Sequence, residues 1–509
     1  MLKRTLRNLA PLCGLWIAVG VYYVFVVSAG HMTRWPAWTG YYETQAQALV
    51  SGHIHLLEPP SRALMQLADP WDIGNMPFWR WDHTYFQGHL YIYWGLVPAM
   101  IGAAIKVLFH GVTVGDGALT FGFFMARLIA GTLLIRQVAR HTVPRPPRWA
   151  VALSMLVFAL AHPTPYTLAR GGVYEAAIMG AVAFLLIGLC FGYRSLHTRS
   201  GPAATACAAA AGIAFGLAGG SRLTQMPTAI ALALLTALWY WRRPRGPAEG
   251  TPGWIGPSIA VVAPAVAAGF ALLVINKVRF GAWTEFGLRY TMTYPKPFLG
   301  LRFAVPDLYT HAFAPPRLGC AFPYLTAPWD ATRVSAPAWL PITWPADHYT
   351  SEPTLGLLVV APFMWLALAA PIVALARWRL TRATATTPAT PPSPSASAWG
   401  WMTPGRWLWV ALAGCLAGVS PLLLLNVTTM RYQNDYSTTL LLVAIFGGWR
   451  LLAAPASARG RRATAWLFGT LAVATIVAGV LLGFTGYFKH FDRHNPLLMH
   501  ALQAHLGLC

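Results

Sequence analysis

The stretch Tyr41-Tyr42-Glu43-Thr44-Gln45 opens a polar, aromatic-rich segment, and Tyr91-Ile92-Tyr93-Trp94-Gly95 closes it. The whole chain of 509 residues contains only 15 Asp and Glu. Apolar sequence flanks the segment on both sides. Because a charge beside a membrane is costly and usually serves a function, we expect this segment to carry the functional site. The acids that fall within it are Glu43, Glu58, Asp69, Asp72 and Asp82.

The composition around this segment is that of a membrane protein. Hydrophobic residues make up 56% of the chain, charged residues make up 10%, and the mean hydropathy is +0.50. Soluble domains contain about 25% charged residues. Apolar runs long enough to cross a hydrocarbon core of about 30 Å recur, whereas a β-barrel would show short alternating segments. The sequence therefore predicts an all-α polytopic membrane protein.

About eleven apolar runs are predicted to cross the membrane. The first follows Lys3, Arg4 and Arg7 and lacks a small-residue cleavage site, so we interpret it as a retained helix. The run Ala150–His162 is short for a bilayer. The predicted spans are Leu9–Ala29, Gly117–Val138, Ala150–His162, Tyr174–Tyr193, Ala203–Gly219, Thr224–Trp241, Ile255–Phe280, Leu355–Trp378, Trp407–Asn426, Ser437–Leu452 and Thr464–Gly486.

The apolar run Leu90–His110 decides the sidedness of every later helix. If it crossed the membrane, the basic turn Arg136–Arg148 would face outside, against the rule that arginines stay in the cytoplasm. Pro98 and Lys106 within the run also favour a helix that does not cross. We therefore expect this run to lie along the outer surface.

The predicted spans, with Leu90–His110 on the outer surface, give a topology map. This map accounts for the net charge of +22. Basic residues collect at the inner helix ends, where Glu249 is the only acid, so no nucleic-acid partner is needed to explain the charge. The map predicts a multi-pass protein of the inner (cytoplasmic) membrane with a cytoplasmic N-terminus and an extracytoplasmic active site. The bases at the inner side are Lys3, Arg4, Arg7, Arg136, Arg140, Arg145, Arg148, Arg194, Arg199, Arg242, Arg243, Arg245, Arg377, Arg379, Arg382, Arg406, Arg450, Arg459, Arg461 and Arg462.

The map also divides the chain into parts. Residues 1–378 form a transmembrane catalytic module with two large outer loops, 31–116 and 281–354. Residues 379–404 form a cytoplasmic linker, disordered because its Thr/Pro/Ser/Ala tract lacks apolar residues. Residues 405–509 add transmembrane helices and an outer tail. The six cysteines have no metal spacing, so their pattern favours neither a zinc site nor a disulfide.

Two acids stand out as candidates for proton transfer. Glu43 lies a short way past the first helix, where a carboxylate could act as general base on an acceptor hydroxyl. The alternative for Glu43 is a solvated loop acid. Glu175 lies at the outer start of a helix and borders apolar sequence. The helix dipole alone would favour an acid there, so a structural role for Glu175 stays open.

Three arginines are candidates for binding a phosphate. Arg170, Arg222 and Arg431 all fall at outer helix ends on this map. A guanidinium binds phosphate oxygens in a fork geometry. The alternative is that each side chain extends to lipid headgroups at the interface. Convergence of the three would favour the phosphate interpretation, and only a structure can test it.

With these features in place, the chain resembles the GT-C superfamily of integral-membrane glycosyltransferases, especially the protein O-mannosyltransferase and aminoarabinose-transferase branch. Family members often carry paired acids after the first helix, whereas Thr44 follows Glu43 here, so Asp82 is a candidate second carboxylate. The resemblance covers roughly Tyr41 to Trp241. Its matching positions are Tyr42-Glu43, the surface-helix stretch Leu90–Ala99, Arg127, the basic turn Arg136–Arg148, Glu175 and Arg222.

The resemblance implies a GT-C-like bundle that transfers a sugar from a polyprenyl-phosphate donor. The acceptor would be a hydroxyl of a glycan, lipid or protein on the extracytoplasmic face, attacked with inversion under general-base catalysis. Glu43, Asp82 and Glu175 would be catalytic, and Tyr42 and Tyr91 would join the arginines in binding substrate. Membrane lipids are expected partners, and no cofactor or metal is expected. The alternative function is a transporter or flippase of lipid-linked glycans, which predicts internal repeats and broken helices.

Overall fold

The computed structural model describes residues 2–242, 253–328, 336–337, 339–384, 403–455 and 457–508. These residues are mostly helical, as predicted. The α-helices are α1 (Leu2–Val27), α2 (Tyr41–Val50), α3 (Arg62–Met65), α4 (Val97–Leu108), α5 (Asp116–His141), α6 (Arg148–Leu160), α7 (Thr164–Leu168), α8 (Val173–His197), α9 (Gly201–Ser221), α10 (Met226–Arg242), α11 (Ile255–Phe280), α12 (Ala304–Phe313), α13 (Leu357–Val360), α14 (Ala369–Thr384), α15 (Pro404–Gly418), α16 (Asn434–Leu452), α17 (Ala458–Thr485), α18 (His490–His494) and α19 (Pro496–Leu506).

Short strands and 3-10 turns occur in the segments between long helices. Strands β1 (Thr84–Phe86) and β2 (His89–Tyr91) form an antiparallel hairpin, as do β3 (Arg317–Leu318) and β4 (Leu325–Thr326). Strands β5 (Tyr349–Thr350) and β6 (Val427–Thr428) pair in parallel, with Tyr349 opposite Val427. The 3-10 turns are Ile73–Phe78, Leu223–Gln225, Leu288–Tyr290, Leu301–Phe303, Pro362–Leu368, Ser420–Leu424 and Met430–Gln433.

Nine helical segments of the described chain are long and apolar enough to cross a membrane. Nine of the predicted spans fall on them, and the prediction of an all-α polytopic membrane protein is confirmed. The other two, Leu355–Trp378 and Ser437–Leu452, do not meet that criterion. The first is broken by the 3-10 turn Pro362–Leu368, and the second lies within the 19-residue helix α16. The total of about eleven crossings therefore stays a prediction.

The predicted surface run Leu90–His110 contains the end of the β-hairpin followed by α4. Helix α4 has 12 residues, or about 18 Å at 1.5 Å per residue, which is too short to cross a bilayer. It packs against α2, where a Cβ at Gly102 would lie 3.3 Å from the Ala46 methyl group. The dimensions of α4 fit the non-crossing helix that the charge map requires.

Burial distinguishes central helices from peripheral ones. Helix α8 is buried along nearly its whole length and packs against α5 and α9. Helix α11 instead leaves large apolar side chains exposed, including Ile259 and Phe270. An apolar helix with an apolar exposed face is suited to contact lipid. The bundle therefore has a packed centre around α8 and a lipid-suited periphery that includes α11.

Contacts between helix ends show which ends of the bundle lie together. The starts of α5, α8 and α16 lie at one end with the hairpin and α12, while the ends of these three helices lie together at the other.

The predicted linker 379–404 begins later than expected, because α14 continues to Thr384. Residues 385–402 lie outside the described chain, so their predicted disorder is not tested.

A close backbone approach joins the first outer segment to the end of α9. A Cβ at Gly95 would lie 2.2 Å from the carbonyl oxygen of Gly220, a distance that no side chain tolerates. Only glycine allows the chain after the hairpin to come this near. The approach places Trp94 beside the turn that carries Arg222.

One cysteine departs from the expectation drawn from spacing. Cys320 is disulfide-bonded, whereas Cys13, Cys190, Cys207 and Cys415 are free. The interpretation that disfavoured a disulfide was therefore wrong for Cys320. The amide of Leu508 also donates a hydrogen bond to the Cys320 carbonyl, 2.9 Å away, so the C-terminal tail lies against the second loop. Disulfides persist in oxidising compartments, which fits an extracytoplasmic position for this loop.

The sidedness of the map can be measured with a matched pair of cysteine substitutions. Arg145 follows α5 and Arg62 begins the short helix α3; both are exposed, and the map puts them on opposite sides of the membrane. The pair is Arg145→Cys and Arg62→Cys. In a background without the free cysteines, an impermeant thiol reagent added to intact cells should label the Arg62→Cys protein and not the Arg145→Cys protein. Labelling of both, or the reverse pattern, would contradict the map.

Candidate functional site

Two of the predicted arginines meet on a single carboxylate. Arg170 donates to Glu352 Oε1 at 2.8 Å, and Arg431 donates to the same oxygen at 2.6 Å. The hydroxyl of Thr429 donates to the other oxygen, Glu352 Oε2. The Glu352 side chain is 4% exposed. Three segments far apart in sequence thus share one buried ionic centre.

The third predicted arginine lies beside this centre. Arg222 forms an ion pair with Asp435 at 2.9 Å, and Gln225 donates to the same carboxylate at 3.3 Å. The Tyr432 ring lies 5.5 Å from the Arg222 guanidinium carbon and 5.9 Å from that of Arg431. Arg222 and Arg431 thus meet at Tyr432, and Arg431 and Arg170 meet at Glu352, so the three arginines form one continuous set of contacts rather than independent interfacial arginines. We call this set, with Glu352 and Asp435, the arginine cluster.

The arginine cluster retains hydrogen-bond donors that nothing in the described chain uses. The Nε atoms of Arg170 and Arg431 are buried without an acceptor. Burial disfavours the charge of Arg431, but the Glu352 carboxylate and Tyr174 hold its pKa above the ordinary arginine value. A guanidinium offers five donors and Arg431 uses few of them. Buried unused donors on charged groups are suited to receive an anionic ligand.

Aromatic side chains connect the arginine cluster to the first outer segment. The Arg431 guanidinium carbon lies 3.9 Å from the centre of the Tyr174 ring, and the Tyr174 hydroxyl bonds that of Tyr93 at 2.8 Å. Trp94 packs edge-on against Tyr174 and stacks on Tyr41. Burial, together with the neighbouring Tyr174 and Asp82, raises the pKa of Tyr93 well above its usual value. Tyr41, Tyr93, Trp94 and Tyr174 thus form one continuous aromatic wall that ends at Arg431.

Asp82 lies at the other end of this aromatic wall. Its backbone is left-handed, with φ of 61°, and its amide donates to the Met292 carbonyl at 3.0 Å, which fixes the turn. Its half-buried carboxylate makes no hydrogen bond or ion pair to the described part of the chain. Burial raises the pKa of Tyr41, and the charges of both Asp82 and Arg170 act on this tyrosine. Asp82 is therefore an unengaged carboxylate near the arginine cluster.

Glu175 also lies at the arginine cluster, but in a different environment. It is completely buried at the start of α8, and its nearer oxygen is 4.0 Å from Arg170 Nη1. Neither carboxylate oxygen has a hydrogen-bond partner within the described residues. None of its surface is exposed in this structure, whereas Asp82 is half-buried. This position suits a group that balances the charge of Arg170.

Glu43 is engaged elsewhere. Its carboxylate forms an ion pair with the buried Lys106 of α4 and accepts a hydrogen bond from the Val114 amide at 2.9 Å. These contacts tie α2 to α4 and to the chain before α5. The structure thus places Glu43 in a joint between surface helices, and its predicted catalytic role is not supported by a contact with the arginine cluster.

The structure places the two tyrosines predicted to bind substrate, Tyr42 and Tyr91, in different surroundings. Tyr42 is buried at the start of α2, where its amide donates to Asp116 Oδ1 at 3.0 Å, and its hydroxyl has no partner in the described residues. Tyr91 lies at the hairpin instead, with its ring 5.5 Å from the Arg279 guanidinium carbon and 5.3 Å from the Phe280 ring. Asp116 also accepts from the amide of Tyr41, so Tyr42 lies beside the aromatic wall, while Tyr91 belongs to a separate contact with α11.

A second buried polar group fixes the segment that carries Glu352. His348 donates from Nε2 to Asp307 Oδ1 at 2.9 Å, and the Thr428 hydroxyl donates to the same oxygen at 2.5 Å. Burial raises the pKa of Asp307, and these two hydrogen bonds act against that rise. His348 directly precedes β5 and Thr428 lies in β6, so their shared contact with Asp307 fixes the β5–β6 pair two residues before Glu352. The group of His348, Asp307 and Thr428 therefore helps to position Glu352 within the arginine cluster.

Sequence reasoning missed several parts of the site. Glu352, Thr429 and Asp435 were not singled out, and Tyr93 and Tyr174 were noted only within longer motifs. The sequence signal that could have found Glu352 is that it is one of few acids in the second loop. Among the described residues no group of three His, Cys, Asp or Glu could hold a metal ion.

Comparisons with known proteins give distant matches. No family model and no curated protein matches the chain. An oligosaccharyltransferase from Archaeoglobus fulgidus is similar over 92% of this chain and 56% of its own, with a TM-score of 0.42 and 14% identity. The same protein, in complex with an inhibitory peptide and a dolichol-phosphate, gives a TM-score of 0.43. ArnT from Cupriavidus metallidurans, bound to undecaprenyl phosphate, is similar over 95% of this chain and 77% of its own, with a TM-score of 0.40 and 12% identity.

Both of these neighbours are GT-C glycosyltransferases, the superfamily that the sequence resembles. The chain spans little more than half the length of the archaeal protein. At TM-scores below 0.5 these similarities do not decide the chemistry, which has to follow from the residues of this chain.

The role of Glu43 can be tested by Glu43→Gln. Because the substitution leaves the buried Lys106 without its counter-ion, we expect the free energy of unfolding to fall by about 1–3 kcal/mol. Turnover per folded molecule should stay near that of the wild type. The measurement is a thermal unfolding midpoint alongside a transfer assay. A loss of turnover of about 10²-fold or more at unchanged stability would restore Glu43 as the general base.

Proposed function

We propose that this protein transfers a sugar from a polyprenyl-phosphate donor to an acceptor hydroxyl at the extracytoplasmic end of the bundle. The observation that carries the proposal is the convergence of Arg170, Arg222 and Arg431 beside the unengaged carboxylate of Asp82. Transfer from a lipid phosphate needs cations for the leaving group and a base for the attacking hydroxyl. This end of the bundle offers both.

The arginine cluster would hold the phosphate of the donor. In the structure the three arginines face three acids, Glu175, Glu352 and Asp435, so the cluster is close to neutral before a ligand binds. A donor phosphate would use the unused guanidinium donors and compete with Glu352 for Arg431. As the bond from the sugar to the phosphate oxygen breaks, negative charge grows on that oxygen, and the arginines stabilise it.

Asp82 would act as the general base. An acceptor hydroxyl placed between Asp82 and the sugar would attack the anomeric carbon from the face opposite the phosphate. Asp82 would take the proton of that hydroxyl while the phosphate leaves, and the configuration at the anomeric carbon would invert. We assign Asp82 this role in preference to Glu43 and Glu175, because the first is ion-paired to Lys106 and the second is completely buried.

A transporter or flippase remains the alternative function. Its strongest support would be a broken helix with polar groups at membrane depth. The described chain does break between α13 and α14, at the 3-10 turn Pro362–Leu368. The stretch from Leu357 to Leu368 contains no charged side chain, and the ionic groups lie at the bundle end instead. The position of the ionic groups favours the transferase.

The proposal is tested by the lipids of a strain that lacks the gene. We expect a sugar-bearing polyprenyl phosphate to accumulate, identifiable by mass spectrometry, because its consumer is gone. The wild-type gene should remove the accumulation, and a gene with Arg431→Gln should not. Unchanged lipid-linked sugars in the deletion strain would count against the proposed function.

A further inference from the structure

The segment that follows α17 turns back onto the candidate site. Gly486, Phe488 and Lys489 all have positive φ angles, of 54°, 54° and 55°. Such angles are uncommon and costly for residues other than glycine, and they persist where surrounding contacts hold them. We call Gly486–Lys489 the tail turn. Two adjacent strained residues, Phe488 and Lys489, indicate that tertiary contacts determine its shape.

The tail turn lies directly against the segment that carries Arg170. A Cβ at Gly486 would lie 2.9 Å from the Ala169 Cβ, so the two segments touch immediately before Arg170. The Arg170 guanidinium carbon lies 4.7 Å from the centre of the Tyr487 ring and 5.6 Å from that of the Phe488 ring. Tyr487 is completely buried. The turn thus places two aromatic rings on one member of the arginine cluster.

Arg170 depends on side-chain contacts because no helix fixes its position. It lies in the link 169–172 between α7 and α8, and two glycines follow it. Trp38 fixes the start of this link, since its Nε1 donates to the carbonyl of the residue before Arg170 at 3.1 Å. The Trp38 ring also stacks on Phe488, with ring centres 6.0 Å apart. An arginine side chain has many rotamers, so the rings and the Glu352 carboxylate together determine where the guanidinium lies.

The tail turn is itself held on both sides. Before it, the Thr485 hydroxyl donates to the Leu325 carbonyl at 3.0 Å. After it, the buried His490 donates from Nε2 to the Val26 carbonyl at 3.1 Å. These partners belong to the second outer loop and to the end of α1. A turn held at both ends can act as a fixed support for Arg170.

Aromatic rings support an arginine without competing for the groups that bind phosphate. The attraction between a cation and a ring involves the π face of the ring and needs no hydrogen-bond acceptor. The Glu352 carboxylate, in contrast, accepts hydrogen bonds from Arg170 and Arg431, which a donor phosphate would also use. When a phosphate replaces Glu352 as the acceptor, the two rings can stay in contact with Arg170.

We propose that Tyr487 and Phe488 are positioning residues that hold Arg170 in place for the phosphate of the donor. This inference rests on the proposed function and extends the candidate site to the segment after α17. A guanidinium that is already in place loses less conformational freedom when the phosphate binds, so the rings increase the affinity without contacting the reacting atoms.

The test measures the affinity of the purified full-length protein for undecaprenyl phosphate by titration in detergent. Tyr487→Leu removes the ring and should weaken binding about tenfold, the effect of losing a cation–π contact. Tyr487→Phe keeps the ring and should restore most of that affinity. Phe488→Leu is the second variant, in case Tyr487→Leu does not fold. Phe484→Leu is the matched control, because its ring precedes the same turn and packs on Phe322, with ring centres 5.0 Å apart.

Thermal midpoints separate positioning from folding. Weaker binding by Tyr487→Leu, at a midpoint similar to that of a Phe484→Leu protein with wild-type affinity, supports the proposal. Equal weakening in Phe484→Leu, or wild-type affinity in both Tyr487→Leu and Phe488→Leu, would overturn it. The proposed function would stand in that case, provided that the wild-type protein binds the lipid and transfers sugar. A wild-type protein that binds no undecaprenyl phosphate would overturn both.

Discussion

Asp82→Asn is expected to reduce sugar transfer by about 10²–10⁴-fold, the usual effect of removing a general base. The substitution keeps the size and shape of the side chain. Because the Asp82 carboxylate makes no hydrogen bond or ion pair to the described chain, its replacement should leave the free energy of unfolding nearly unchanged. A large loss of rate at constant stability is the signature of a chemical role.

The measurement compares transfer rates at saturating donor in protein of equal thermal stability. Asp69→Asn is the control, since Asp69 lies in the same outer segment and its side chain only accepts a hydrogen bond from the Trp71 amide. That variant should transfer sugar within a few-fold of wild type. Near wild-type rates in Asp82→Asn would remove Asp82 from the mechanism and leave Glu43 or Glu175 as the candidate base.

Glu352→Gln should have the largest effect on stability. Arg170 and Arg431 share this carboxylate, and both are mostly buried. Removing the charge of a buried partner leaves uncompensated cations, which costs about 3–5 kcal/mol. Glu58→Gln is the matched control, because Glu58 pairs with Arg80 but is 64% exposed. An exposed pair contributes about 0–1 kcal/mol, so this control should unfold close to the wild-type midpoint.

The same variant reports on phosphate binding. If the donor phosphate competes with Glu352 for the arginines, a polyprenyl phosphate should raise the thermal midpoint of Glu352→Gln more than that of wild type, since ligand binding stabilises the folded state. Equal shifts in wild type and variant would mean that the phosphate binds away from Arg170 and Arg431. A midpoint for Glu352→Gln equal to wild type would contradict the buried ionic centre itself.

The helices could be predicted because their signals are local. The run Ile255–Phe280 is uniformly apolar and ends at Gly281, whose φ of 72° suits glycine, so its predicted bounds coincide with α11. The run Leu355–Trp378 looks equally apolar, but Pro362 interrupts the helical hydrogen bonding and a 3-10 turn results. Composition indicates that a segment is buried in a membrane, and single residues decide whether it stays in one helix.

The site could be predicted only in part, because it depends on contacts between distant segments. The scarcity of acids pointed to the segment that contains Asp82, and the outer helix ends pointed to Arg170 and Arg431. The partner that joins the two arginines is Glu352, which lies 182 residues beyond Arg170. Glu43 carried the strongest local signal, and its ion pair with Lys106 depends on how α4 packs on α2. The Cys320 disulfide likewise follows from tertiary proximity, which spacing does not encode.

The most direct test is sugar transfer by the purified protein in lipid nanodiscs. Synthetic polyprenyl-phosphate sugars would be supplied with a cell-envelope extract as acceptor, and release of free polyprenyl phosphate would be followed by mass spectrometry. The wild-type protein should release polyprenyl phosphate from at least one donor, with the sugar recovered on an acceptor. Arg431→Gln and Asp82→Asn should each abolish most of that release. Movement of intact donor across the bilayer without any release, in wild type and variants alike, would contradict the transferase and establish a flippase instead.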